Sequence, residues 1–451
     1  MRFDDFSSLL GHWAGATPDA PALRYAKGDA MQTLSYSRLR EAVGQRAEAL
    51  RREGGGCLGL LCDGSAGNVV ELLAAAEAGL QVVLLDGGAD EGLLAEQLRA
   101  ADADRLWGDE DLVGEIDYAL RKSPIAPTGD LLFFTSGTTQ AAQAVVLTPK
   151  SLCASAYNGG ALLPLSPGDT LLCMLPLNHV FGFVCGLLWG LSCGACVALG
   201  RGMRHYADDC AFFRPTALPA VTLLLQFLVA HEALNPELRL VLVGAGSCPA
   251  QLLEAVKARG IRVCFGYGLT ETSSGVALSL GDDPYAMTVC PDDEIEIAPD
   301  GEILVHAPTC VMQGYYKNPE ATGRALQGGA LHTGDLGSLD GQGRLRVTGR
   351  KKETLVLPDG TKLFLPEYEA RLSWLLGPRD FAVIELGGAP VLVLRGEERE
   401  RKALLEALEP AMVRLPRGQR LKDILFVPDP LPRTLTGKIK RWEIQQKAVE
   451  P

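Results

Sequence analysis

The sequence predicts an α/β protein: two doubly wound α/β layers, a small antiparallel sheet or barrel, then a small α+β unit at the C-terminal end. Three observations predict it. Short apolar runs alternate with helix-length amphipathic segments as far as about residue 270. Four of those runs end in glycine-rich or hydroxyl-rich turns. Beyond Glu271 the texture changes to short alternating segments with frequent turns.

An amphipathic helix opens the chain. A turn at Thr17-Pro18-Asp19, a strand over 22–25 and a helix over 35–52 follow, with Ser35 as the helix cap. Strand 58–62, helix 68–78 and strand 81–85 are spaced as a right-handed βαβ unit of a parallel sheet. Helix 91–101 comes next. The apolar run 131–134 reads as a buried strand that meets Thr135, Ser136, Gly137, Thr138 and Thr139. Hydroxyls and backbone N–H groups in such a turn can donate to phosphate oxygens, and Gly137 permits close approach. The Walker pattern G-x-x-x-x-G-K-[ST] is absent here, and an ordinary polar turn is the alternative.

The pattern repeats. Strand 170–175 ends in Pro176-Leu177-Asn178-His179, strand 240–243 in Gly244-Ala245-Gly246-Ser247, and strand 262–265 in Gly266-Tyr267-Gly268-Leu269-Thr270-Glu271. Helices over 219–233 and 249–259 lie between them. Doubly wound sheets bind ligands at the carboxyl ends of their strands, so the four turns are expected to share one cleft. The run 180–200 carries no charge and is long enough for a membrane helix. Its own turn residues divide it into a buried helix to 191, a turn over 192–194 and a strand over 195–199. Strands over 294–297, 301–306 and 343–348 form the antiparallel part. Residues 351–353 are a charged hinge candidate, and 354–451 form a separate unit with helices over 367–376 and 397–408.

At roughly 100–200 residues per domain, the 451 residues suggest two to four compact units. A hydrophobic share of 47% supplies large cores. The net charge of −12, without a basic stripe, excludes a nucleic-acid footprint and disfavours anionic membrane surfaces. The N-terminus MRFDDFSSLL has no signal-peptide apolar region. Twelve cysteines in mostly apolar settings read as buried free thiols of a reducing, cytoplasmic compartment. Cys193 and Cys196 have C-x-x-C spacing without the second pair a tetrahedral metal site needs.

Stretches spread along nearly the whole chain resemble the adenylate-forming superfamily of acyl-CoA synthetases, aryl-CoA ligases, luciferases and peptide-synthetase adenylation domains. They are TSGTT at 135–139, LPLNHVFG at 175–182, GYGLTE at 266–271, GEILVHAPTCVMQGYYKNPEAT at 301–322, LHTGDLGSLDGQGRLRVTGRKKE at 331–353 and PRTLTGKIKR at 432–441. Each alone is weak; together, in the family's order, they are specific. The resemblance implies a large core over 1–349, of two doubly wound subdomains and a small β-barrel, and a mobile lid over 350–451 with its hinge near Glu353.

It also implies the chemistry. A carboxylate attacks the α-phosphate of ATP, and the acyl-adenylate then passes its acyl group to a thiol. By the likeness, Thr135 to Thr139 wrap the β- and γ-phosphates. Tyr267, between Gly266 and Gly268, lies along the adenine, with Gly244, Ala245 and Gly246 on the other side. Thr270 contacts the α-phosphate and Glu271 holds Mg²⁺. Asp335 accepts from both ribose hydroxyls, assisted by Arg350. Lys438 serves the first half-reaction, Gly360 approaches the pantetheine arm of CoA, and His179 lines the acyl pocket. Each residue has a plainer reading: a turn cap for Asp335, a helix-start acid for Glu271, solvated cations for Arg350 and Lys438, core for Tyr267, a structural imidazole for His179.

Departures accompany the likeness. Where the family's loop continues T-G-x-P-K-G, this chain has Gln140, Ala142 and Gln143 for the glycine, proline and lysine, and Pro149 for a following histidine. The glycine-rich stretch after Ser274 is shortened, with 287–291 in its place. Losing a loop ammonium removes about 1.5–3 kcal/mol of charge-assisted phosphate stabilisation. No acid lies between Asp169 and Asp208, which disfavours an amino-acid substrate and favours an apolar fatty or aryl acid. The expected activity is ATP- and Mg²⁺-dependent formation of an acyl-CoA. The alternatives are acyl transfer to the phosphopantetheine of a separate carrier protein, and a catalytically weak relative that binds nucleotide or acyl-adenylate.

Overall fold

A computed structural model describes residues 1–108, 128–135, 143–244, 248–281, 283–357, 361–433 and 439–449. Its first sheet is parallel where the βαβ spacing requires it. Cys57–Cys62 pairs with Gln81–Asp86, which pairs in turn with Leu131–Phe134. Helix Ala66–Glu77 makes the crossover, capped by Ser65, whose hydroxyl accepts from Asn68 N–H at 3.0 Å. The strands are apolar on both faces and buried on both, as a parallel sheet between helices demands. Antiparallel strands Ala144–Leu147 and Gly314–Tyr315 finish one edge.

The second sheet sets Cys196–Leu199, Thr170–Cys173, Ala217–Val221, Leu240–Gly244 and Arg262–Leu269 side by side in parallel. Two expectations are corrected here. Residues 219–221 belong to a strand, and the helix is Thr222–Ala230. Proline argues against a central strand because it lacks an N–H. The chain accommodates Pro219 by keeping its ladder to Leu240–Gly244 and pairing with Thr170–Cys173 at Ala217. The segment after Phe265 is also not a turn: the strand runs on to Leu269 and changes partner. Arg262 to Phe265 pair in parallel with the neighbouring strand, and Gly266 to Leu269 pair antiparallel with Ser274–Ser279. The antiparallel strands that follow extend the same sheet through Met287–Val289, Leu345–Arg350, Ala330–Leu339, Glu302–His306 and Glu294–Ile297.

The uncharged run after His179 is a helix with a π-turn at its centre: Val180–Phe183, Val184–Leu188, Trp189–Ser192. Glycine at 182, 186 and 190 gives it a bare stripe. A Cβ at Gly182 would lie 2.1 Å from Pro176 O, and one at Gly190 would lie 2.6 Å from Val197 Cγ2. The helix therefore sits directly on the parallel strands, and its buried side chains join the main core. Among the described residues no helix is long and apolar enough to cross a membrane.

Toward the C-terminus, Phe381–Leu386, Ala389–Arg395 and Asp423–Val427 form a three-stranded sheet. Alternation assigns its faces. Val383 and Leu392 pack on Leu372, Leu404 and Leu408 of helices Leu365–Leu376 and Arg401–Val413. Ala382, Ile384 and Val391 pack on Ile444 of Arg441–Val449. All twelve cysteines are free, nine of them buried.

Candidate active site

The parallel pairing places the carboxyl ends of Thr170–Cys173, Leu240–Gly244 and the first half of Arg262–Leu269 at one edge of the second sheet. Phe181, two residues past His179, lies against Gly244: a Cβ on Gly244 would stand 2.6 Å from that ring. His179 caps the apolar helix with extended backbone angles and no side-chain cap bond. Its imidazole is half-buried. Burial holds it below its ordinary pKa against the opposing pull of Asp86, which ends a strand of the first sheet. The neutral ring is the form the site favours.

At the far end of Arg262–Leu269 the backbone tightens into a single 3₁₀ turn, Thr270–Thr272. Thr272 Oγ1 accepts from Leu269 N–H at 2.9 Å and donates to Ser274 O at 2.7 Å. Ser273 and Ser274 carry positive φ values of 53° and 106°. A Cβ on Gly268 would fall 1.7 Å from Ser274 O, so the turn itself requires that glycine. The turn presents Thr270 and Glu271. Glu271 Oε1 accepts from Tyr315 Oη–H at 2.7 Å, and its carbonyl accepts from Met312 N–H at 2.8 Å.

Asp335 is buried, with both oxygens engaged. Oδ2 accepts from Tyr267 Oη–H at 3.0 Å and Oδ1 from Arg350 Nε at 2.6 Å. Arg350 is its cross-strand partner in the antiparallel ladder. Burial, reinforced by the adjacent carboxylate, pushes the Tyr267 phenol well up, so it stays a donor. Burial works against the Arg350 charge, but Asp335 outweighs it and holds the guanidinium cationic. The turn before Asp335 is pinned from beneath: Glu302 accepts from Gly334 N–H at 2.8 Å and from Lys351 Nζ at 2.6 Å. Burial alone would raise the Glu302 pKa; Lys351, Gly334 and His332 together bring it down.

Thr135 closes the base of the predicted phosphate hairpin. Its N–H donates to Gln143 O at 2.9 Å, and its Oγ1 accepts from Gln143 N–H at 3.4 Å. Ser136, Gly137, Thr138, Thr139, Gln140 and Ala142 lie outside the described residues, as do Ala245, Gly246, Gly360 and Lys438. The hairpin's second strand, Ala144–Leu147, pairs with Gly314–Tyr315. Tyr315 therefore ties the hairpin base to Glu271. Pro149 is the first residue of helix Pro149–Leu162, capped by Thr148. Beyond 353, Arg441 binds Glu353 at 3.1 Å and Glu369 at 2.5 Å.

Of the sequence-predicted residues, the structure brings together Gly266, Tyr267, Gly268, Thr270 and Glu271 on one strand and turn, and joins Tyr267 to Asp335 and Arg350. Sequence reasoning missed Tyr315, Glu302 and Thr333, whose Oγ1 accepts from Asp335 N–H at 3.0 Å and donates to Ile303 O at 2.7 Å. Tyr315 stands inside the quoted GYYKNP segment, but nothing local says that its partner is 44 positions away. Glu271 offers oxygen alone, which suits Mg²⁺, held by one or two carboxylates together with substrate phosphates.

Beside this edge lies a small apolar cavity of about 20 Å³, room for about one water, lined by residues that include Val184, Cys185 and Trp189 of the apolar helix, Leu242, and Gly275 of Ser274–Ser279.

Comparison with known proteins agrees with this geometry. Residues 120–316 match the family model "AMP-binding enzyme". The chain is 30% identical to a 3-[(3aS,4S,7aS)-7a-methyl-1,5-dioxo-octahydro-1H-inden-4-yl]propanoyl:CoA ligase of Mycobacterium tuberculosis, over 74% of this chain and 69% of that one. It is 29% identical to an indoleacetate–CoA ligase of Aromatoleum aromaticum, over 98% of each. Among solved structures, o-succinylbenzoate CoA synthetase from Bacillus subtilis, in complex with its acyl-adenylate intermediate, superposes with a TM-score of 0.80 at 24% identity over 97% of each chain. ATP-bound MatB from Rhodopseudomonas palustris superposes with a TM-score of 0.80 at 21% identity, over 98% of this chain and 99% of that one. The chain belongs to the AMP-binding, adenylate-forming enzymes, among the acid–CoA ligases.

Proposed function

We propose that this chain joins an apolar carboxylic acid, aryl or fatty, to CoA at the expense of ATP. The observation that carries the reading is the Tyr267–Asp335–Arg350 cluster, whose Tyr267 lies on the strand that leads into the turn presenting Thr270 and Glu271. In the first step an oxygen of the substrate carboxylate bonds to the α-phosphorus while the bond to the bridging oxygen breaks and pyrophosphate leaves. In the second the CoA sulfur bonds to the acyl carbon, and AMP leaves as its carbon–oxygen bond breaks. Such chemistry asks for positioning and charge neutralisation more than for a protein nucleophile.

The roles are those the family resemblance implies, and the residue chemistry suits them. Asp335 takes the ribose hydroxyls on its remaining lone pairs, held in place by Tyr267 and Arg350. The Tyr267 ring, with Gly244 to Gly246, bounds the adenine. Thr270 donates to the α-phosphate. Glu271, steadied by Tyr315, holds Mg²⁺, which supplies positive charge to the phosphates. Thr135 to Thr139 hold the outer phosphates, and Lys438 neutralises charge between carboxylate and α-phosphate. Neutral His179 lines the way to the acyl carbon. Residues 1–349 form the core and 350–451 a lid turning near Glu353 to bring Gly360 toward the pantetheine. We place the protein in the cytoplasm, on its buried free thiols.

One observation favours a second reading, a nucleotide-binding relative of low activity: Gln143 stands where the family carries its loop lysine. Thiol consumption and AMP release, followed with ATP, Mg²⁺, CoA and a panel of acids, test the proposal. CoA-dependent turnover with one acid class is expected. Adenylate formed but passed on only to a carrier protein would refute the CoA acceptor. ATP binding without turnover would favour the second reading.

A further inference from the structure

The ladder that carries Asp335 is interrupted where Asp335 stands. Glu302 pairs with Leu336 and Leu304 with His332, so one strand advances two residues while its partner covers four. The surplus is a bulge over 333–335, the kind of interruption that re-aims a side chain beside a site. Gly334 takes a left-handed φ of 69° within it. A bulge takes backbone groups out of the ladder, and side chains receive them here. Asp335 N–H donates to Thr333 Oγ1, and Gly334 N–H donates to Glu302 Oε1 at 2.8 Å.

Glu302 holds a second strand as well. Its Oε2 lies 2.6 Å from Lys351 Nζ and 3.2 Å from His332 Nδ1. Gly334 and Lys351 are the chain neighbours of Asp335 and Arg350, which are partners across the ladder. One buried carboxylate therefore grips both strands a single residue away from that pair. An ionised carboxylate is an acceptor on both oxygens, so it serves all these groups at once. Glutamine could still accept from Gly334, but it would turn N–H donors toward the Lys351 ammonium. The other acid on Lys351, Asp300, is 60% exposed, so that contact is the weaker tether.

Resting on the reading in which Asp335 takes the ribose hydroxyls, we propose that Glu302 is a positioning residue for nucleotide recognition. Its oxygens are taken up by protein donors, so it acts through Asp335 rather than on the nucleotide. It holds the bulge against the strand of Arg350, and so keeps the Asp335 carboxylate where both ribose hydroxyls reach it. A site built to pair a hydroxyl rejects the analogue that lacks it, because its own polar group is then left unpaired. Loosening the bulge therefore costs discrimination as well as affinity.

The test is calorimetry with Mg²⁺ and ATP, 2′-deoxy-ATP or 3′-deoxy-ATP, on the wild type and on Glu302→Gln, with circular dichroism as the check on folding. The wild type is expected to prefer ATP to a deoxy analogue by at least about ten-fold, and Glu302→Gln to bring that ratio within about three-fold of one. With an acid that supports pyrophosphate exchange, KM for ATP should rise in the variant and KM for the acid should not. If Glu302→Gln does not fold, Lys351→Met, at the partly exposed partner, takes its place, and the same fall in the ratio is expected. A ratio left at its wild-type value, with all three nucleotides weakened equally or not at all, would overturn the role of Glu302 and leave the ligase reading standing. A wild type that binds ATP without discriminating would overturn the ribose role of Asp335 and the proposal with it. A ratio that falls as expected in a protein that exchanges with no acid would support Glu302 and sink the ligase reading.

Discussion

Replacing Arg350 with methionine removes the cation from a buried pair while keeping much of its apolar length. In the structure Arg350 Nε stands 2.6 Å from Asp335 Oδ1, and the Asp335 side chain is only 5% exposed. Leaving a buried charge without its partner costs about 3–5 kcal/mol. Two features lower that figure. Arg350 is 40% exposed, so water reaches the vacated side, and Tyr267 still donates at 3.0 Å. We expect a loss of about 2–3 kcal/mol in urea unfolding at pH 7.5. Pairing the change with Asp335→Asn in a double-mutant cycle isolates the interaction, because Asn needs no cation. A coupling of at least about 1 kcal/mol is expected. Additivity within about 0.5 kcal/mol would refute the pair as the element that fixes Asp335.

Three further outcomes are expected. Tyr315→Phe removes the donor on Glu271 and should weaken Mg²⁺-dependent ATP binding, read by calorimetry, about five-fold with little change in unfolding; an unaltered Mg²⁺ requirement would show that Glu271 is placed without it. Gln143→Lys restores a cation at the hairpin and should lower the apparent KM for ATP about ten-fold; unchanged ATP use would mean the loop is compensated elsewhere. Asp293 is pushed up to about 7 by burial and by neighbouring Asp292, and its Oδ1 has no partner. Its protonated form stabilises the fold fully below about pH 4 and that contribution is lost as pH rises through 7. Asp293→Asn should therefore stabilise thermal unfolding by about 2–3 kcal/mol more at pH 8 than at pH 5, and an equal effect at both would contradict this.

The parallel layers were legible because fully buried strands write themselves as unbroken apolar runs such as LGLLC and VVLL, closed by glycine or polar turns. Three features were not. Pro219 disguised a central strand, since a missing N–H usually bars one. Gly266 and Gly268 look like a turn, yet one serves close packing on Ser274 inside a strand that changes partner. The π-turn at Val184–Leu188 has no pattern distinct from that of a buried helix. At the site, the residue types were readable and their partners were not. Asp335 reads as an acid in T-G-D-L, but Tyr267 reaches it across 68 positions and Glu302 supports its turn across 32. Long-range pairing of that kind is set by the sheet register, not by any local stretch.

The central claim is that this edge of the sheet activates a carboxylate with ATP. ATP–pyrophosphate exchange with Mg²⁺, in the absence of CoA, against fatty, aryl and dicarboxylic acids tests it most directly. Exchange that depends on one class of apolar acid, and is absent with dicarboxylates, is the result expected from the uncharged helix that follows His179. A folded protein that binds ATP yet exchanges with no acid would contradict it.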